Sequence, residues 1–320
     1  MTPNSKPAPG WLVLLAFLAI YIVWGTTYLA IIYGLKGFPP FLLSALRYLI
    51  AGALLAGWCR MKGMKMPSKA VIKVCIISGL LMLIGGTGLV AWSEQYVGSG
   101  EAAIIIATEP FFFLLVDKKR WGEYFTNWYI IIGLIIGFTG IVLFFSAGGS
   151  QPGITSDLQL LGYGVIIISS LLWVGGSLYA ESRLEGVSNI LTSCIQLIAA
   201  AVVCFLISGA MGELNKFSFK AVPVPAWGGL FYLVIMGSLV AYMAFTWLIT
   251  VRPPALVSTH TYVNPLVAVL MGWAFANEKL IQMQLFAMFI ILAGVLLTNF
   301  PSYKAFFRIP LSAEAKSTEK

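Results

Sequence analysis

Charge is scarce in this chain. Only 10% of its 320 residues are Asp, Glu, Lys or Arg, whereas 59% are hydrophobic, and the mean hydropathy of +0.91 lies far outside the range of soluble domains. A nucleic-acid binder is excluded, because the net charge of +8 is not gathered on a polar surface. Histidine occurs once, and the four cysteines (Cys59, Cys75, Cys194, Cys204) have no paired metal spacing, so no metal centre is expected and the thiols read as small apolar fillers. No Gly-rich loop ending in Lys-Ser/Thr is present, which excludes direct drive by nucleotide hydrolysis. The longest polar stretches, 147–157, 212–226 and the tail from 301, leave no room for an extramembrane domain, so function must reside among apolar helices. No cofactor is expected.

What fills the chain is a series of apolar runs, each close to the length of about 20 residues that crosses a bilayer core. Ten are found: 11–34, 40–58, 70–92, 99–116, 128–146, 158–180, 190–211, 227–250, 256–276 and 281–300. The first is too long for the apolar region of a cleaved signal peptide and is expected to stay as a helix. Cationic residues near span ends are retained in the cytoplasm. With the N-terminus inside, fifteen Lys and Arg residues fall on the cytoplasmic face, including Arg60, Lys62, Lys65, Lys69, Lys73 and Lys118 to Arg120, while Lys36, Lys216, Lys220 and Lys279 fall opposite. Both termini are therefore expected in the cytoplasm of a multi-pass inner-membrane protein.

One block recurs. Glu109-Pro110, an apolar run and Glu123 are matched 155 residues later by Asn264-Pro265, another such run and Glu278. Trp24 matches Trp173, Ser44 matches Ser193, Trp92 matches Trp247 and Gly140 matches Gly294, each in the corresponding segment. The expected division is a cytoplasmic N-terminus at 1–10, a first five-helix repeat at 11–146, a periplasmic connection at 147–157, a second repeat at 158–300 and a cytoplasmic tail at 301–320. An odd number of spans per copy inverts the second copy, and inverted repeats place a transport site between the copies near mid-bilayer. Small residues at spacing four, Gly133 and Gly137, and Ala53 and Gly57, are packing signals; the pair in the fifth segment also offers a homodimer face.

The five-plus-five arrangement, the repeated Pro-to-Glu spacing and the stretches WSEQYVGSGEAAIIIATEP and YIVWGTTYLA resemble the EamA family of the drug/metabolite transporter superfamily over residues 11 to 300. The resemblance implies an all-α membrane protein of ten helices, a basket in which helices 1 to 4 and 6 to 9 surround a central cavity while 5 and 10 are peripheral. It also implies a bacterial inner-membrane exporter of amino acids or other small metabolites. Where this chain has Glu101 and Glu109 the family more often carries uncharged residues, so the fourth segment holds two extra carboxylates.

Arg47 lies about 10 Å and Glu109 about 16 Å inside their segments at 1.5 Å per residue. Each costs roughly 2.5 to 3.5 kcal/mol if exposed to lipid, so they are expected to face water or each other. Their repeat partners are Gln196 and Asn264, which suggests a contact between the second and fourth helices, ionic in one copy and amide-based in the other. Glu109 reads as a proton carrier or amine ligand and Arg47 as its partner or a carboxylate ligand; the bland alternative is a structural ion pair. Glu101 is a second protonatable candidate, and Glu94 reads as a solvated rim residue. His260, one turn before Asn264, titrates in a range suited to proton coupling or else packs as a hydrogen-bonded ring. Pro110 and Pro265 free the carbonyls of Ile106 and Thr261, toward the cavity or in an ordinary kink. Glu123 and Glu278 are expected to favour the starts of helices 5 and 10. Trp24, Tyr28, Trp92, Trp173, Tyr179, Tyr242, Trp247 and Tyr262 are candidates for an amphipathic cavity wall.

The leading expectation is a secondary transporter exporting small amphipathic metabolites by alternating access, with proton antiport and facilitated diffusion both open. The partners are a small-molecule substrate and the lipid bilayer, with protons if antiport holds. Exchange of phosphorylated or nucleotide sugars would need several converging cations, and only Arg47 lies deep. An intramembrane transferase would need a nucleophile with an orienting base, which the sequence does not supply. A channel fits an intramembrane charge pair less well than an occluded cavity does.

Overall fold

The computed structural model describes residues 10–116, 118, 121–124, 126–146, 155–181, 183–184, 186–215, 217–252, 257, 260–278 and 281–307, with side chains at 123, 124, 145, 262, 299 and 301–307 excepted. The expectations for the N-terminal nine residues, the 147–154 connection, the tail beyond 307, the Glu123 side chain and the Tyr262 side chain lie outside this set.

All regular structure among the described residues is helical, as lipid requires, because a helix satisfies its own backbone where no water can. Among the described residues, seven helices have the length and apolarity to span a bilayer: α1 (Gly10–Leu35), α2 (Pro40–Met61), α3 (Lys69–Ser93), α4 (Ser99–Val116), α6 (Ser156–Glu181), α7 (Asn189–Ala210) and α8 (Val224–Val251). Three further apolar helices lie among the described residues: α5 (Trp128–Ser146), α9 (His260–Ala276) and α10 (Gln282–Phe307). Local sequence sets several starts. Pro40 occupies the first turn of α2, where a missing N–H costs nothing, and Ser68 Oγ accepts from Val71 N at the start of α3.

The helix contacts map onto themselves when the two copies are exchanged. Helix α1 packs on α8 and α9, and its counterpart α6 packs on α3 and α4; α2 pairs with α7, α4 with α9 and α5 with α10. Glycines make the closest approaches. A Cβ on Gly294 would meet the Gly137 backbone at 2.4 Å, and one on Gly140 would meet Ile291 at 2.8 Å, two contacts that interchange under the repeat. The Gly133 and Gly137 stripe is thus buried against α10 and is not a homodimer face. Gly57 meets nothing within 4 Å and Ala53 is exposed; the close α2 to α7 contact is made by Gly52 against Ile198. Large apolar side chains such as Trp128, Ile135, Val142, Phe286 and Phe289 are exposed along α5 and α10, which places this pair at the periphery.

Two features were not legible in the repeat. Residues Leu80–Gly88 of α3 and Leu233–Ala241 of α8 are π-helical, nine residues each and 153 apart, and Ala19–Val23 of α1 is a shorter π segment. Such wide turns shift the register of the side chains beyond them and concentrate at functional sites. The two prolines also behave differently. Helix α4 breaks at Ala107–Thr108 and restarts at Glu109-Pro110, while Pro265 sits inside a continuous α9.

Candidate functional site

The break in α4 and the π segment of α3 border a cavity of about 590 Å³ in the middle of the bundle. Its lining includes Trp24, Thr27 and Tyr28 of α1, Arg47 of α2, Thr87 of α3, Glu109 of α4, Ser169 and Trp173 of α6, and His260 and Asn264 of α9. A second cavity of about 360 Å³ lies toward the end of the bundle where the N-terminus enters, lined by Phe113, Ser177, Glu181, Phe245 and Ile249. Glu109, Trp173 and His260 line both. Between them stands an aromatic plug: Trp24 meets Trp173 at 5.5 Å, Phe245 at 5.0 Å and the His260 ring at 4.9 Å between centroids, and Trp173 meets Phe245 at 5.3 Å. Trp24 and Trp173 are repeat partners in direct contact, so the plug lies where the copies meet.

Arg47 and Glu109 are both buried and both line the central cavity, yet no ion pair joins them among the described residues. Arg47 Nε instead donates to Ser238 Oγ at 2.7 Å, inside the π segment of α8, and Gly237 leaves the room, since a Cβ there would lie 2.9 Å from Nη2. The expected Arg47 to Glu109 contact is replaced because the π turns carry Ser238 against α2. Glu109 has no hydrogen-bond partner among the described residues. Its carboxyl follows directly on the α4 break, next to the cavity.

His260 and Asn264 act as a unit. With the Asn264 amide oxygen turned to His260 Nδ1 at 3.1 Å, its nitrogen donates to Tyr21 O at 2.9 Å and Ile20 O at 3.2 Å, carbonyls of the α1 π segment. That orientation satisfies both amide atoms and puts the histidine proton on Nδ1, leaving Nε2 as an acceptor.

Other sequence candidates lie away from the cavity. Gln196 bridges α3 and α8: its Nε2 donates to Ser78 Oγ at 2.9 Å and Tyr242 Oη donates to its Oε1 at 2.7 Å. Glu101 joins three helices, accepting from Gly98 N at 3.3 Å, Gln159 Nε2 at 3.3 Å and Gln284 Nε2 at 2.7 Å. Trp92 packs edge-on to Tyr96, Tyr179 lies under the Arg183 guanidinium at 4.3 Å, and Trp247 packs on the core outside both cavities. Thr27, Thr87, Ser169, Ser238 and Phe245 were not singled out by sequence. The apolar runs around them carry no signal that separates a cavity hydroxyl from a packed one.

The end of the bundle opposite the N-terminus is sealed by carboxylates of the second copy. Glu213 accepts from Phe41 N at 3.3 Å and Leu42 N at 2.9 Å at the start of α2. Glu278 accepts from Ser99 N at 2.9 Å, Ser99 Oγ at 2.9 Å and Gly100 N at 3.1 Å at the start of α4. Both satisfy orphan N–H groups at the positive end of a helix. Glu278 therefore caps α4, not α10 as its place in the sequence suggested. Asn277 in the left-handed region (φ 55°) turns the chain after α9, and Glu278 N bonds back to Gly272 O at 3.1 Å, aiming the carboxylate at α4. A Cβ on Gly272 would lie 2.5 Å from Glu278 Oε2. Glu94 is not a solvated rim residue: it is 4% exposed, and neither carboxyl oxygen has a hydrogen-bond partner among the described residues.

Comparison with known proteins agrees with this geometry. The sequence profile of the EamA-like transporter family matches residues 10–146 and again residues 160–300. An inner membrane transporter of Escherichia coli strain K12, YedA, is 34% identical over 297 residues, covering 90% of each chain. A probable terminal-alkyne amino-acid exporter of Streptantibioticus cattleyicolor is 24% identical, covering 89% of this chain and 92% of its own. A crystal structure superposes with a TM-score of 0.64 at 18% identity, covering 93% of this chain and 99% of that one, which shows the fold.

Proposed function

Since the chain belongs to the EamA-like transporter family, we propose that it exports small zwitterionic metabolites, amino acids with an apolar or aromatic side group foremost, by alternating access between inverted five-helix copies. It is a multi-pass transporter of the inner membrane. The observation that carries the substrate class is that one cation and one carboxylate line the same cavity without pairing: Arg47 offers donors that Ser238 does not consume, and Glu109 offers an acceptor. A bound carboxylate would meet Arg47, a bound ammonium Glu109, and a flat apolar group the Trp24 and Trp173 rings. The amino-acid exporter among the relatives supports this reading. Exchange of phosphorylated sugars is disfavoured because Arg47 is the one Lys or Arg among the residues lining either cavity.

The proposed topology has ten spans with the N-terminal end in the cytoplasm, in keeping with the cationic bias of the loops. The two carboxylate caps then hold the extracytoplasmic end shut, and the vestibule below the aromatic plug faces the cytoplasm. This is an inward-facing arrangement, poised to load substrate past Glu109 and His260.

The test is thermal stabilisation of the purified protein by amino acids, paired with their deaminated acids and their esters, followed by counterflow in proteoliposomes. Hydrogen bonds to a charged group contribute about 1.5 to 3 kcal/mol, so Glu109→Gln should weaken amine-bearing ligands by about 10- to 150-fold and spare the deaminated acids. Arg47→Gln should do the reverse with the esters. Stabilisation by sugar phosphates with none by amino acids, or equal loss of all ligands in both variants, would refute the assignment.

A further inference from the structure

Among the described residues, Glu94 is the one buried carboxyl that the cavity does not use and no neighbour satisfies. It sits one residue past α3, where the sequence predicts exposure, but it is buried, and Gly162 of α6 packs against the neighbouring Ser93, Tyr96 and Val97. Neither of its oxygens has a hydrogen-bond partner among the described residues, and the hydroxyl of the adjacent Ser93 is equally without one. The titratable groups set against it are Glu278, from the turn after α9, and Tyr28, from α1; Tyr28 in turn faces Glu109 across the cavity wall.

The two far-end carboxyls are in opposite situations. Glu278 receives three donors at a helix N-terminus. Glu94 receives none and lies beside that carboxylate. Burial first, and the Glu278 carboxylate second, push its carboxyl well above the usual range. The closed far end therefore favours the neutral form of Glu94.

We propose that Glu94 is a proton-binding site coupled to the Glu278 latch: it holds a proton while Glu278 caps α4, and releases it when α4 swings away and water enters. The group whose affinity for protons is raised belongs to the closed state. The contribution to closure is thus fully present below the open-state titration of Glu94 and is lost as the pH rises through the closed-state one. The inference depends on the far-end geometry and not on the identity of the substrate. It also offers a route from the far face to the cavity, from Glu94 by way of Tyr28 to Glu109.

The experiment is hydrogen exchange of the full chain in lipid nanodiscs, read at the amides of residues 99–106 between pH 5 and pH 9 and corrected for intrinsic exchange. One coupled proton changes the opening equilibrium by up to about tenfold per pH unit within the titration window. The wild type is expected to show that rise. Glu94→Gln, which mimics the protonated form, should remain protected with a flat profile, and Glu94→Asp should restore the slope. Glu278→Gln should raise exchange at every pH. A flat wild-type profile, or a Glu94→Gln variant that keeps the wild-type slope while unfolding at an unchanged temperature, would overturn the proposal.

Discussion

Replacing Gly272 by alanine is a one-methyl test of the far-end seal. The added Cβ would lie 2.5 Å from Glu278 Oε2, 3.0 Å from its Cδ and 2.9 Å from Ser99 Oγ, closer than real Cβ contacts come. The carboxylate is the part that must yield, and it is held by Ser99 N, Ser99 Oγ and Gly100 N at 2.9 to 3.1 Å. Bonds to a charged acceptor contribute about 1.5 to 3 kcal/mol when buried, and Glu278 is half-buried, so loss or lengthening of three of them should cost about 2 to 4 kcal/mol in total. A methyl on helix α9 would otherwise be neutral to mildly favourable, because alanine outranks glycine as a helix former. A double-mutant cycle isolates the cause. In a Glu278→Ala background the obstruction shrinks to Ser99 Oγ, and Gly272→Ala should then cost less by at least about 1 kcal/mol. Thermal unfolding of the four proteins in one detergent, followed by tryptophan emission, supplies the measurement. Additive losses across the cycle would show that Gly272 is needed for some reason other than the carboxylate, and the argument for a built latch would fail.

Other substitutions follow the same logic. Gly294→Ala should destabilise the protein by about 1 to 3 kcal/mol, since its Cβ would strike the Gly137 backbone at 2.4 Å, whereas Gly57→Ala, with nothing within 4 Å, should be neutral or slightly stabilising in the same unfolding assay. Gly86→Ala would bring a Cβ to 2.8 Å from Trp173 Cε3, so the ring must tilt out of the plug; altered tryptophan emission together with a more permeable cavity to water-soluble quenchers is expected, and an unchanged spectrum would count against the close packing of α3 on α6.

Much of this arrangement could be read before the structure. The apolar runs marked the helices because their length and lack of charge admit few alternatives, and the Glu109 to Asn264 offset marked the duplication. Arg47, Glu109, His260 and Asn264 were singled out because polar groups inside apolar runs need somewhere wet to face, and the structure brings all four to one cavity. The partnerships were not legible. Arg47 chooses Ser238 over Glu109 because nine residues of α8 adopt a wider helical turn, which no periodicity in LVIMGSLVA announces. Glu101 draws on Gln159 and Gln284, residues far apart in the chain that only the tertiary fold brings together. Glu94 misled because helix ends usually meet water, and here the second copy folds over it. The Pro110 and Pro265 blocks, alike in sequence, diverge in conformation, so the repeat fixes position without fixing backbone.

Helix pairings that are unchanged by swapping the halves are those that two separate five-helix chains would make on associating antiparallel about a two-fold axis. In such an assembly every residue near the axis is met by its own image, and an arginine there would confront another arginine. Covalent fusion removes that restriction. It lets one half carry a guanidinium and a carboxylate where the other carries amides, so that a shared chamber can have a positive side and a negative side and thereby orient a dipolar guest.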